Sequence, residues 1–206
     1  MHISDGVLPT SVAIGSYALS AAICAWSVKR TRSEDLPKVA VLTAAFFVAS
    51  LVHLPFGPTS VHLLIPGLVG ALLGPSAFLA IGLGLVLQCL LFQFGGLTAL
   101  GANLLMMGLP ALLAGWVFYH FKGRRRKQRI LVGALCGGGA TVMSACLLAL
   151  LLATGGEDFY GVAKLAIGAH IPVLLIESGV SAMIVSFLLK VKPEVLDLPF
   201  GFKDRV

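Results

Sequence analysis

Residues 130–153, ILVGALCGGGATVMSACLLALLLA, run for 24 positions without a charged side chain. A helix over this stretch is about 36 Å long at 1.5 Å per residue, enough to cross the roughly 30 Å hydrocarbon core of a bilayer. Before it stands FKGRRRKQR (121–129), and after it the polar loop TGGEDFYG (154–161). Lysine and arginine crowded at one end of an apolar run is the pattern by which membrane helices are oriented.

Working outward, similar apolar runs recur at 9–28, 38–52, 62–73, 76–92, 102–120 and 164–189. The whole chain of 206 residues is 58% hydrophobic and 12% charged, with a mean hydropathy of +0.97. That charged share is about half of what a soluble domain carries. The reading is an all-α polytopic membrane protein, one membrane domain built as a bundle of about seven transmembrane helices. Pro66-Gly67 breaks or re-enters the third run. Twenty-four glycines suit close approach of membrane helices. The four cysteines (Cys24, Cys89, Cys136 and Cys146) all fall in apolar runs without a CxxC pair and read as packing residues. No cleavable leader is expected, because residues 1–8 lack a basic region and the first apolar run leads into Lys29 and Arg30.

The net charge of +6 does not point to nucleic acid, because the basic residues sit in short blocks between apolar runs. With residues 29–38 in the cytoplasm, seven crossings also put 121–129 and 190–206 there. Those segments hold four, six and four Lys/Arg, or 14 of the 15 in the chain. The positive-inside rule then places the N-terminus outside and the C-terminus inside. The expected division is an extracellular arm over 1–8, transmembrane helices over 9–189 and a cytoplasmic tail over 190–206. Residues 1–8, 53–62, 93–101 and 154–163 share the external side, which brings His2, His53 and His62 to one face of the membrane.

Met1 and His2 can make a chelate. A free α-amine has a pKa near 8 and is a good nitrogen donor once deprotonated. Amine to His2 amide closes a five-membered ring, and amide to His2 Nδ1 closes a six-membered one. Three nitrogens then lie in one plane with a fourth position open, the tetragonal coordination that suits Ni(II) and Cu(II). The bulk of His2 favours retention of the initiator methionine. A histidine at position 2 can equally be accidental and solvated, and His53 competes with His62 for the open position. His62 is favoured because it opens an apolar segment, where a polar side chain needs a partner.

The stretches MHISDGVLP (1–9), FGPTSVHLLIPGLVGALLGP (56–75) and LLFQFGGLTALGANLLMMGLPAL (90–112) resemble the CbiM/NikM family, as do RRRK and HIPVLLIESG later in the chain. These are the substrate-binding membrane subunits of energy-coupling-factor transporters for cobalt and nickel. The resemblance covers essentially the whole chain. It implies a metal held by the Met1 amine, the His2 amide, the His2 imidazole and the histidine of TSVH, which is His62. It also implies a transported Ni(II) or Co(II) ion with no prosthetic group, a coupling membrane subunit, two ATP-binding subunits and a small auxiliary membrane subunit of the CbiN/NikN type. No appended segment for the auxiliary role is evident, so a separate partner is expected. The loop here reads GPTS where family members often carry glycine-rich sequence, which leaves His53 as a residue of metal entry or outer support.

Asp5 is read either as orienting an imidazole N–H or as a turn residue before Gly6. Asn103 either holds the N-terminal arm or caps a helix. Ala40-x-x-x-Ala44 is a small-residue ladder suited to internal packing or, by the resemblance, to docking the coupling subunit. Glu177, with His170 seven residues before it on roughly the same helical face, is a candidate proton pair or a structural hydrogen-bonding group. No GxxxxGK[ST] and no HExxH is present, so energy comes from elsewhere and an enzyme is not expected. Nickel is slightly preferred over cobalt, from the planar nitrogen set and the Irving–Williams order. The rival readings are a carrier that works alone, with Glu177 as its coupling site, and a capture subunit for an organic micronutrient.

Overall fold

The computed structural model describes residues 2–56, 59–156 and 159–197, and of residues 53–56, 59–61 and 197 the backbone only. Helices α1 (Thr10–Arg30) and α2 (Leu36–Leu51) lead into a hairpin of β1 (His53–Phe56) and β2 (Thr59–His62). There follow α3 (Pro66–Leu73), a 3-10 turn Gly74–Ser76 and α4 (Ala77–Phe92). The chain continues through α5 (Leu100–Phe121), α6 (Arg126–Ala153), α7 (Tyr160–Val191) and the short α8 (Glu194–Asp197).

The bundle is inside-out relative to a soluble protein. On α1 the buried residues are Ser16, Ser20 and Ser27, while Ile14 is 65% exposed and Leu19 51%. Leu150, Ile171, Leu175 and Phe187 also face outward. An apolar exterior costs nothing against lipid tails, and helices there associate through close packing and small polar groups. Ser20 Oγ accordingly donates to the Gly101 carbonyl at 2.7 Å, Ser27 Oγ to Pro75 at 2.7 Å and Thr43 Oγ1 to Ala80 at 3.2 Å.

Among the described residues, five helical runs are long and apolar enough to cross a membrane: Thr10–Arg30, Pro66–Phe92, Leu100–Phe121, Arg126–Ala153 and Tyr160–Val191. The expectation of about seven separate crossings is therefore met only in the coarser form of a polytopic helical bundle. The third expected span begins at Pro66 rather than His62, and its eight residues rise only about 12 Å. It joins α4 through the 3-10 turn instead of stopping at Gly74-Pro75. At 16 residues, about 24 Å, α2 is shorter than the hydrocarbon core.

Seven of the eight residues of α3 are buried, wedged between α5 and α6. The wedge depends on glycine: a Cβ on Gly67 would lie 2.1 Å from the Cys136 carbonyl oxygen, and one on Gly70 would lie 1.9 Å from that of Ala111. The most extensive helix pair is α6 against α7. The hairpin was not expected in an all-α chain. It pairs His53 with His62 in antiparallel register.

At the basic end of the bundle α8 folds back onto the helices. Leu196 is buried, and Lys122 Nζ donates to its carbonyl at 2.6 Å. Lys38 Nζ donates to Leu72 at 2.7 Å and to Val195 at 3.1 Å. The described part of the expected tail is therefore docked, while residues 198–206 lie outside the described residues.

Candidate metal centre

Residues 2–8 do not extend into solvent. Asn103, buried in the first turn of α5, accepts the Ile3 N–H on Oδ1 at 2.8 Å and donates from Nδ2 to the Ile3 carbonyl at 3.0 Å. One side-chain amide thus imitates a neighbouring strand, and Gly96 N–H adds a bond to the same carbonyl at 3.3 Å. Ile3 itself is buried in the core. The start of α5 carries no side-chain cap hydrogen bond, and among the described residues both side-chain bonds of Asn103 go to Ile3. Asp5 does not reach an imidazole. Its Oδ1 accepts the Thr98 N–H at 2.7 Å and the Thr98 hydroxyl at 2.5 Å, and these bonds hold its carboxyl below the usual carboxylate range.

The receiving loop is shaped by backbone. At Gln93 (φ +56) α4 ends in the left-handed region, with Gln93 N–H bonded to Cys89 and Phe94 N–H to Gln88. This Schellman-type turn delivers Phe94 and Gly95 to the arm. Gly95 has φ +71, and a Cβ on Gly96 would sit 2.0 Å from Asp5 Oδ1. In the sequence the FGG of this loop carries resemblance alone. Its physical requirement is room for the arm.

His2 is thereby set beside His62, with ring centroids 6.0 Å apart. Phe94 packs against both rings, stacked on His2 at 6.1 Å and edge-on to His62 at 5.6 Å. Sequence reasoning missed Phe94, because a phenylalanine in an apolar protein gives no signal of its own. His62 sits at the end of β2, and its Nδ1 is 3.0 Å from the Ser50 carbonyl. A carbonyl can only accept, so Nδ1 carries the hydrogen and Nε2 the lone pair.

Both ring nitrogens of His2 are buried with no hydrogen-bond partner among the described residues. Burial first, then the chain's amino terminus and the His62 ring, lower the His2 pKa from 6.5 to about 2. The imidazole is therefore neutral and available as a ligand at any physiological pH. A buried polar group left unsatisfied typically costs about 1–3 kcal/mol, and such orphans call for an ion or other ligand. No group of three or more His, Cys, Asp or Glu side chains that could hold a metal occurs among the described residues.

A cavity of about 510 Å³ adjoins these rings, lined by His2, His62, Gln93 and Phe94 on one side and by α6 and α7 on the other, with His170 on its wall. Four segments expected to share one side of the membrane (1–8, 53–62, 93–101 and 154–163) contribute to this end of the bundle. Met1 lies outside the described residues, and so does the side chain of His53, whose backbone pairs with His62. Ala40 and Ala44 are on the exposed face of α2, away from the internal packing of that helix.

The family model described as "CbiM: Cobalt uptake substrate-specific transmembrane region" matches residues 2–195. A Haemophilus influenzae protein named for metal transport is 38% identical over 98% of this chain and 100% of its own length. The cobalt transport protein CbiM of Sorangium cellulosum is 31% identical over 96% of this chain and 95% of its own. A fused protein of Archaeoglobus fulgidus, named for nickel transport as NikMN, is 32% identical over 96% of this chain and 68% of its own. A crystal structure titled as a transition metal transporter superposes with a TM-score of 0.77 at 24% identity, covering all of both chains, and so shares the fold.

Proposed function

Because this chain belongs to the family of cobalt-uptake substrate-specific transmembrane proteins, we propose that it is the substrate-capture subunit of a nickel or cobalt importer and binds the ion through four nitrogens. These are the Met1 amine, the His2 amide, His2 Nδ1 and His62 Nε2. The observation that carries this reading is the His2 imidazole: neutral, with both nitrogens buried and without a partner among the described residues, 6.0 Å from the His62 ring. The Asn103–Ile3 clamp supports it, because it fixes the arm one residue beyond the chelate. Asp5 and Thr98 support the same arm from its outer side. The His53 backbone pairs with that of His62, which supports His53 as a residue of metal entry or outer support.

Planar nitrogen coordination with a deprotonated amide favours Ni(II) over Co(II). Relatives are named for both metals. The orientation follows the basic residues, with the arm outside and the Lys/Arg-rich end in the cytoplasm. The chain has no nucleotide-binding motif. ATP hydrolysis then falls to two partner subunits, transmitted by a coupling membrane subunit that docks on the exposed Ala40/Ala44 face of α2. A small auxiliary membrane subunit works beside it. The A. fulgidus relative, a fused protein half as long again as the match, suggests how such a partner can be attached.

The direct test is nickel uptake and metal content for His2→Ala and His62→Ala. Each removes a proposed ligand, so the loss expected is larger than the roughly 10–100-fold that an outer-shell change costs in metal affinity. Cys24→Ala, remote from the arm, keeps wild-type uptake. Wild-type uptake in the His2→Ala, His62→Ala double variant would sink the proposal.

A further inference from the structure

Glu177 is a carboxylate in the middle of α7, 1% exposed, in a helix that is otherwise apolar around it. Such a group needs a partner of its own. His170 is not that partner, because its Nδ1 turns back to the Ala166 carbonyl at 2.5 Å while its ring lines the cavity. Glu177 reaches instead across to the segment that carries His62. Its Oε1 accepts the N–H of Leu64 at 2.7 Å and the N–H of Ile65 at 2.8 Å.

The two amides are consecutive in the chain and meet on one oxygen, and Ile65, which carries the second of them, is left-handed with φ +49. A β-branched residue is disfavoured there, and holds that conformation only where its surroundings impose it. The next residue, Pro66, has no N–H and opens α3. From there α3 is locked: Gly67 lies against the backbone of Cys136 and Gly137, and Gly137 lies against the Glu177 carbonyl and Ser181. On the other side of Leu64 the chain is tied at two points, Leu63 N–H to the Val52 carbonyl at 3.2 Å and His62 Nδ1 to Ser50. Segment 62–65 is therefore a short bridge between α2 and α7, with His62 at one end and Glu177 holding the other. Removing the carboxylate orphans the amides of two buried residues, and the bridge must shift to satisfy them.

We propose that Glu177 is a positioning residue for metal capture: by binding the Leu64 and Ile65 amides it fixes the segment that aims His62 at the ion. This inference rests on the reading of His62 as the fourth nitrogen donor. Glu177 touches no metal in this account. Its effect on binding passes through His62.

The test uses detergent-purified full-length protein with its native N-terminus and Ni(II) as the probe, reading affinity, the visible absorption band of bound nickel and the melting temperature. His62→Ala lowers affinity and shifts the band. Glu177→Ala lowers affinity by about 10–100-fold and moves the band toward that of His62→Ala. Glu177→Gln keeps a carbonyl oxygen in reach of both amides and binds nickel like wild type. Glu177→Asp keeps the charge but withdraws the oxygens by one methylene, and weakens binding. Glu177→Ala combined with His62→Ala binds no more weakly than His62→Ala alone, because the two act through one contact. Additive losses in the double variant, or wild-type affinity in Glu177→Ala, overturn the proposal while leaving the four-nitrogen site intact. Should Glu177→Ala fail to fold, the Asp and Gln variants decide: equal affinities for both overturn it. Wild-type affinity in His62→Ala instead removes the four-nitrogen site itself, and this inference with it.

Discussion

At the basic end of the bundle, Lys38 gives its ammonium hydrogens to the carbonyls of Leu72 and Val195, Lys122 binds the Leu196 carbonyl, and Thr31 Oγ1 bonds to Ser27 and Ser76. At the opposite end, where the N-terminal arm lies, His2 is lowered among apolar and aromatic neighbours with both ring nitrogens unpartnered. The backbone one residue later is fully secured by Asn103. Polar atoms that only hold helices together find partners as the chain folds. A donor held rigidly and left unsatisfied is one prepared for something that arrives afterwards. Gln88, Ser144, Ser181 and Glu177 Oε2 also bury side-chain atoms without a partner among the described residues. The first three offer amide and hydroxyl groups, which are weaker ligands than imidazole for nickel or cobalt, and the carboxylate of Glu177 is already engaged through Oε1 with two amides.

The contrast can be pressed from both sides. Asn103→Ala removes both hydrogen bonds to Ile3 and lets the arm detach, so nickel affinity falls by about 10–100-fold, as for loss of an outer-shell support. Titration against a competing chelator measures this, and wild-type affinity would show that the arm docks without its clamp. Lys38→Ala does the reverse. It breaks charge-assisted bonds to two carbonyls at the far end, lowering stability by about 1.5–3 kcal/mol while leaving nickel affinity unchanged. A matched fall in affinity would mean that the two ends are coupled.

The smallest effect is one of pH on the metal-free protein. His2 has its pKa lowered from 6.5 in the undocked chain to about 2 when docked, so between those values the undocked arm binds more protons. By linkage, docking strengthens as pH rises toward about 6.5 and is independent of His2 above it. The protection factor of the Ile3 amide, which divides out the intrinsic exchange rate at each pH, should therefore fall below pH 6.5. A flat profile from pH 5 to 7 would contradict a buried, neutral His2.

Long apolar runs made most helices legible, because their lengths match a bilayer and their basic flanks mark one end. The segment 62–65 was misread as the start of a helix. Its run HLLI is apolar enough, but Pro66 disfavours the helical region for Ile65, which turns left-handed instead. The hairpin was hidden by Pro55 and the surrounding turn residues, which broke any alternating pattern. Met1, His2 and His62 could be singled out because their chemistry is local. Asn103 and Asp5 could be named as supports but not assigned, since each acts on a partner more than 90 residues away. The contact of Glu177 with Leu64 and Ile65 spans 113 and 112 residues and had no sequence signal at all.

The central claim is that the chain's own amine is a ligand, so the measurement that tests it most directly leaves every side chain in place. Nickel affinity and the visible spectrum of bound Ni(II) are compared for the native N-terminus and for a version extended by one glycine ahead of Met1. The account predicts that the extension abolishes tight binding and the planar-nickel absorption band, although Asn103 still holds Ile3. Equal affinity and an unchanged band in the extended protein would contradict it.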